Sequence, residues 1–223
     1  MARALVVLSG GQDSTTCLFW ALREFGAGRV ETLSFDYGQR HRIELDCARK
    51  VSELASAPHA VLPIEAFAAL GGNALTDPDV AVEPDVDPET GLPNTFVPGR
   101  NVIFLTLAAA HAYPRGIDDL VTGVAQTDFS GYPDCRESTI RSLEGTLRLA
   151  LEREIRIHAP LMHRSKRETV ELAREVGALA ALAWTHTCYE GRQPPCGACA
   201  ACGLRAKGFR EAGIEDPLLA RLR

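Results

Sequence analysis

The chain has 223 residues, enough for one substantial hydrophobic core and a small appendage. A hydrophobic share of 46%, a mean hydropathy of −0.05 and no apolar run near the roughly 20 residues that span a bilayer argue against a membrane protein. The net charge of −5 argues against a long nucleic-acid backbone as ligand and for a small molecule, although Arg192, Arg205, Arg210, Arg221 and Arg223 make the last third locally basic.

Residues 3–8 form a continuous apolar run, the pattern of a strand buried on both faces. The run meets a glycine loop at once, with no long apolar stretch of a secretory leader behind it, so a cytoplasmic location is expected. A helix is predicted over 15–25, ending near Gly26 and Gly28, and a second strand over 30–35. From 40 to 57, Ile43, Cys47, Val51 and Leu54 recur at helical spacing; residues 59–64 are a third strand. Residues 70–100 hold adjacent glycines and several prolines and aspartates with little periodicity, which predicts a long irregular excursion. An apolar helix follows over 101–113, a short strand over 119–122 and a second irregular loop over 123–135. The remaining elements are a helix at 137–151, a strand at 155–158, a helix at 165–176 and a last short helix around 204–211. Ser165 and Glu168 compose a capping box at the start of the 165–176 helix.

Strands alternating with helices predict an α/β fold: a doubly wound, mostly parallel sheet with helices on both faces. Ligands of such sheets bind at the carboxyl ends of the strands. The loops at 9–14, 34–41, 96–101, 123–136 and 160–166 are therefore the ones expected to build a site.

Ser9-Gly10-Gly11-Gln12-Asp13-Ser14 lies directly between the first strand and the first helix. Its glycines permit a tight turn and close approach of phosphate oxygens to backbone amides, and the helix N-terminus adds partial positive charge. Ser9, Ser14 and Thr15 add hydroxyl donors. Asp13 would repel phosphate unless it holds a bridging magnesium ion or caps the helix. The loop has neither the lysine of a Walker A motif nor the third glycine of a dinucleotide fingerprint.

Seven cysteines are unevenly spread. Cys17 and Cys47 fall on apolar helix faces and read as core. Cys188, Cys196, Cys199 and Cys202 crowd together, with Gly197 and Gly203 allowing tight turns, and four thiolates suit a closed, structural zinc site. The Cys-x2-Cys-x2-Cys spacing is also compatible with an iron–sulfur cluster, or with a redox-active thiol pair.

Ser-Gly-Gly-x-Asp-Ser in a strand–helix turn resembles the signature of the PP-loop ATP pyrophosphatase superfamily, whose members activate a carboxyl or carbonyl oxygen with ATP. Five further stretches extend the likeness: Ser-Phe-Asp-Tyr-Gly-Gln-Arg-His at 34–41, Val-Pro-Gly-Arg-Asn at 97–101, Thr-Asp-Phe-Ser-Gly-Tyr-Pro-Asp-Cys-Arg at 127–136, Pro-Leu-Met at 160–162, and the tail from Thr187 to Gly213. Together they resemble the 7-cyano-7-deazaguanine synthase family of queuosine-precursor ligases over nearly the whole length. One departure is His163, at a position where that family carries an aromatic residue, while Lys166 is retained.

The resemblance implies an ATP-dependent conversion of 7-carboxy-7-deazaguanine and free ammonia to the 7-nitrile, with structural zinc and a homodimeric assembly. It divides the chain into a nucleotide-binding domain over 1–185, with an irregular insertion at 70–96, and a zinc-binding segment over 186–223. ATP with Mg2+ is then expected on Ser9, Gly10, Gly11, Gln12, Asp13, Ser14 and Thr15. Arg100 and Lys166, at helix starts on the ligand edge, are candidates for phosphate or substrate carboxylate and, with Asp13, for catalysis. Asp128, Phe129, Tyr132 and Asp134 are the expected deazaguanine pocket, since carboxylates accept from the base's N–H edge and rings stack on its face. Asp36 and Tyr37 are candidates for adenine or ribose, and Arg40 or His41 for facing the site. Two rivals are a PP-loop enzyme that modifies tRNA and a non-catalytic zinc-knuckle binding module. The first would need a persulfide cysteine or an RNA-binding extension; the second leaves the glycine loop unexplained.

Overall fold

The computed structural model of the chain describes residues 2–77, 79–83, 86–126 and 131–223, with the side chains of residues 68 and 70 outside the description. Five parallel strands make one sheet: β1 (Ala4–Val7), β2 (Val30–Asp36), β3 (His59–Pro63), β4 (Asp119–Val121) and β5 (Arg156–His158), in the order β3-β2-β1-β4-β5. Ala4 pairs with Val30 on one side and with Asp119 on the other. The chain winds outward from β1 to β3, then returns to the other side of β1 to place β4 and β5. The winding thus reverses between β1 and β4, which is where parallel sheets open a crevice at their carboxyl ends.

The apolar run of β1 is explained by cover on both faces. Leu5 points into a core built with helices α4 (Arg100–Ala112) and α5 (Glu137–Leu151). Ala4, Val6 and Leu8 point into another core with α1 (Gln12–Phe25), α2 (Ile43–Leu54) and α6 (Lys166–Glu175). Alternate residues of one strand serve opposite layers, as the period of a strand requires.

Three short helices escaped the sequence pattern: α3 (Ala66–Leu70), α7 (Leu179–Leu182) and α9 (Pro217–Arg221). Helix α1 starts at Gln12 rather than near residue 15, so the second half of the glycine loop is already its first turn. The last long helix, α8, runs over Ala200–Ala212 and reaches back to the cysteine cluster. Between α3 and α4 the described residues form turns and one isolated bridge, Val86–Pro93. Arg40 holds part of this excursion in place: its guanidinium donates to the carbonyls of Asp77 (3.0 Å) and Val80 (2.7 Å).

The tail joins the body through α8, which crosses α6. Gly208 permits that crossing, since a Cβ there would sit 2.9 Å from the Lys166 carbonyl oxygen and 3.0 Å from its Cβ. Val170, Ala173, Leu182 and Phe209 fill the junction. The buried Arg205 forks onto both Asp216 oxygens at 2.7 and 2.8 Å and also donates to the Thr185 hydroxyl at 2.8 Å. A buried guanidinium is tolerable only with its donors occupied in this way.

Candidate functional site

A cavity of about 250 Å³ opens at the carboxyl ends of β1, β2 and β4, at the reversal of the winding. Its floor is the glycine loop. Ser9, Gly11, Gln12, Asp13 and Ser14 line it, whereas Gly10 and Thr15 are not among its lining residues. The Ser9 and Ser14 hydroxyls bond one another at 3.0 Å, and the Gly11 amide donates to Ser9 Oγ at 3.2 Å, so the turn is preorganised. No side chain caps α1, whose N-cap is Gly11. The first-turn amides are consequently directed at the cavity end without a side-chain acceptor, the arrangement that binds anions at helix starts.

Gly10 meets a packing demand besides the one its motif suggests. Its φ is +88°, and a Cβ would lie 2.1 Å from the Glu44 carbonyl oxygen and 2.8 Å from the Ala48 amide nitrogen. The glycine lets α2 pack against the loop. Gly123, just after β4, does the same for the first turn of α1, because a Cβ there would meet the Ser14 nitrogen at 2.9 Å. Two close backbone approaches therefore fix where the loop stands.

Lys166, the first residue of α6, brings its Nζ to 2.7 Å from Asp13 Oδ2, with only 12% of its side chain exposed. The Ser165–Glu168 capping box predicted from sequence is formed and sets the start of α6. Asp13 is thereby neutralised within the loop, which removes much of its repulsion toward an anion. Arg100 opens α4 on another wall; its Nη1 is 3.3 Å from the Tyr37 hydroxyl, and its guanidinium carbon lies 5.9 Å from that ring's centre. Burial pushes the Tyr37 phenol above its ordinary value, so it stays a neutral donor and acceptor.

Of the expected deazaguanine pocket, Asp128 and Phe129 lie outside the described residues. Tyr132 lines the cavity, its hydroxyl 2.6 Å from Thr95 Oγ1 and its ring 5.5 Å from that of Phe96. Asp134 is buried and not among the lining residues. Its Oδ2 accepts from the Asn101 backbone amide at 2.9 Å and from Asn101 Nδ2 at 3.1 Å, so it ties the loop to the first turn of α4 and helps to hold Arg100. Asp36 turns to Arg42, and Arg40 to the 73–80 stretch, while Tyr37 and His41 line the cavity. His163 is on the surface, 64% exposed and 3.2 Å from Glu137.

The site also contains residues that the sequence did not single out. Glu44, Asn101, Cys135 and Tyr189 all line the cavity. Glu44 follows His41 by three residues, near helical spacing, which was the one available signal. Tyr189 arrives through tertiary contact, as Gly191 packs within 3.2 Å (for a Cβ) of His41 Cα.

The four tail cysteines converge, their sulfurs all within 4.8 Å of one another and Cys196 and Cys202 at 3.9 Å. A tetrahedral zinc–thiolate site with bonds of about 2.3 Å needs sulfur separations of roughly 3.8 Å, so this set fits a metal ion. Backbone amides of Ala198 and Cys199 donate to Cys196 Sγ at 3.4 and 3.3 Å, as expected around a thiolate ligand.

A family model described as queuosine biosynthesis protein QueC matches residues 3–213. The 7-cyano-7-deazaguanine synthase of Chromobacterium violaceum is 67% identical over 219 residues, covering 98% of this chain and 94% of the relative. That of Laribacter hongkongensis is 64% identical over 98% of this chain and 95% of its own. Among solved structures, a predicted subunit of tRNA methyltransferase from Methanocaldococcus jannaschii shares the fold with a TM-score of 0.51 at 18% identity, covering 78% of this chain and 75% of that one. With a family match over nearly its full length, and relatives at such identity, the chain belongs to the QueC family of queuosine biosynthesis proteins.

Proposed function

We propose that the protein is an ATP-dependent carbon–nitrogen ligase that converts 7-carboxy-7-deazaguanine and ammonia to 7-cyano-7-deazaguanine. The observation that carries this reading is the Asp13–Lys166 pair beside an uncapped helix start, with Arg100 on the same cavity. Those groups supply what the chemistry needs. A carboxylate becomes a nitrile only by losing two oxygens, each a poor leaving group until it is joined to phosphorus. ATP joins the first oxygen to phosphorus as a mixed acyl–phosphate anhydride; ammonia displaces it to give the amide; activation of the amide oxygen then permits dehydration to the nitrile.

In this reading the Ser9–Ser14 loop holds the phosphates, and Lys166 keeps Asp13 from repelling them. Thr15, fully buried with an unpartnered Oγ1, supports the loop from behind. A magnesium ion on Asp13 would neutralise further phosphate charge. Arg100 takes the substrate carboxylate or the transferred phosphoryl group, where a preorganised cation stabilises developing charge. Tyr132 with Asp128 and Phe129 receives the deazaguanine ring, and Asp134 positions Arg100. Structural zinc on Cys188, Cys196, Cys199 and Cys202 holds residues 187–191 against the cavity, and the active form is a homodimer in the cytoplasm.

The reading is tested by incubating the protein with 7-carboxy-7-deazaguanine, ammonium and Mg-ATP and following products by mass spectrometry. The nitrile should accumulate after a transient amide, with ATP consumed only when the acid is present. Absence of acid-dependent ATP consumption contradicts it.

A further inference from the structure

Gln12 is 3% exposed and lines the cavity, yet neither atom of its side-chain amide has a hydrogen-bond partner. A buried amide left without partners is costly unless a ligand completes it. His41 is 4% exposed and lines the same cavity; its Nε2 lies 3.3 Å from Glu44 Oε2, while its Nδ1 is buried and unpartnered. Glu44, with 13% of its side chain exposed, also lines the cavity. Among the described residues, its carboxylate faces His41 and makes no ion pair with Lys166 or Arg100.

The Glu44 carboxylate, the Gln12 amide oxygen and the bare imidazole nitrogen are hydrogen-bond acceptors, while the Gln12 amide nitrogen is a donor free for another ligand atom. The proton on the histidine is favoured at Nε2 by the neighbouring carboxylate, which leaves Nδ1 as the acceptor. An anion would be repelled here, whereas the loop amides, Lys166 and Arg100 suit phosphate. The cavity is thus divided chemically, with a set of acceptors for a small cationic N–H donor next to a set of donors for phosphates.

Resting on the ligase reading, we propose that Glu44 and the Gln12 carbonyl oxygen bind the ammonium ion and that His41 Nδ1 accepts its proton. Ammonium passes one proton to Nδ1 and becomes ammonia. The nitrogen lone pair forms the C–N bond at the activated acyl carbon as the C–O bond of the acyl–phosphate anhydride breaks. The leaving group departs with that electron pair and takes up the second proton lost by nitrogen. Two hydrogens remain on the amide.

The test is steady-state kinetics in varied ammonium chloride at fixed pH, for Glu44→Gln and Gln12→Met. Gln12→Met removes both unpartnered polar atoms at similar volume, so folding is retained. Both variants should raise KM for ammonium about tenfold or more, and in Glu44→Gln, outside the phosphate loop, KM for ATP and for the acid should change less than about twofold. Hydroxylamine, a neutral nucleophile, would trap the activated acid as the hydroxamate, and the ratio of hydroxamate to amide formation should rise about tenfold in Glu44→Gln. If the wild-type protein forms neither amide nor hydroxamate with ATP, the ligase reading itself fails, and this assignment with it. If the wild type turns over and KM for ammonium is unmoved in both variants, or rises in Glu44→Gln no more than KM for ATP and for the acid, the ammonium site is overturned and the ligase reading stands.

Discussion

Lys166 is the residue on which the phosphate site turns. It makes an ion pair at 2.7 Å with a loop carboxylate, and both partners are largely shielded from water. Replacing it by methionine keeps the stem but leaves Asp13 facing the nucleotide with its charge uncompensated. A preorganised cation at such a position is worth a few powers of ten in rate, so kcat/KM for ATP should fall about 100-fold or more in Lys166→Met. A variant that keeps wild-type kcat/KM would remove Lys166 from the site. Gly10 gives the contrary lesson about motifs. A Cβ there would lie 2.1 Å from the Glu44 carbonyl oxygen of α2, a packing demand invisible in the one-dimensional pattern and additional to phosphate approach.

At the scale of elements, much was legible before any coordinates. The buried strand at β1, the capping box at Ser165, the irregular stretch after β3 and the cysteine cluster all follow from local chemistry, and each stands where its pattern put it. The short helices α3, α7 and α9 were missed because four or five residues carry no helical period to detect. Glu44 and Tyr189 escaped for another reason: their place at the site depends on which loops the sheet order brings together. Asp134, a carboxylate expected to meet substrate, accepts from a backbone amide at the start of α4, a bond that only the tertiary arrangement reveals.

The four-cysteine segment is where element-scale structure meets function. Its tight turns bury little apolar surface, so a bound metal would supply much of its order. Thr187 and Tyr189 line the cavity and Gly191 packs on His41. We therefore expect about one zinc per chain by metal analysis. Stripping it with a chelator under reducing conditions should lower the melting temperature and reduce activity together. A chelated, metal-free protein with full activity would show that residues 186–202 hold their shape without metal.

For the molecule as a whole, the winding of the sheet accounts for the site. The reversal between β1 and β4 opens a crevice, and the glycine loop, the start of α4 and the start of α6 all reach it. The tail closes it from one side, anchored by the Arg205–Asp216 pair and the α6–α8 crossing. The net charge of −5 and the compact cavity fit small-molecule ligands better than a polynucleotide. In the proposed reaction ATP carries oxygen away from a carboxyl group. Substrate labelled with 18O in both carboxylate oxygens tests it most directly, with mass spectrometry of the nucleotide and phosphate products after single turnover to the nitrile. The account predicts both labels in phosphorus-containing products; 18O released to water, or nitrile formed without ATP, would contradict it.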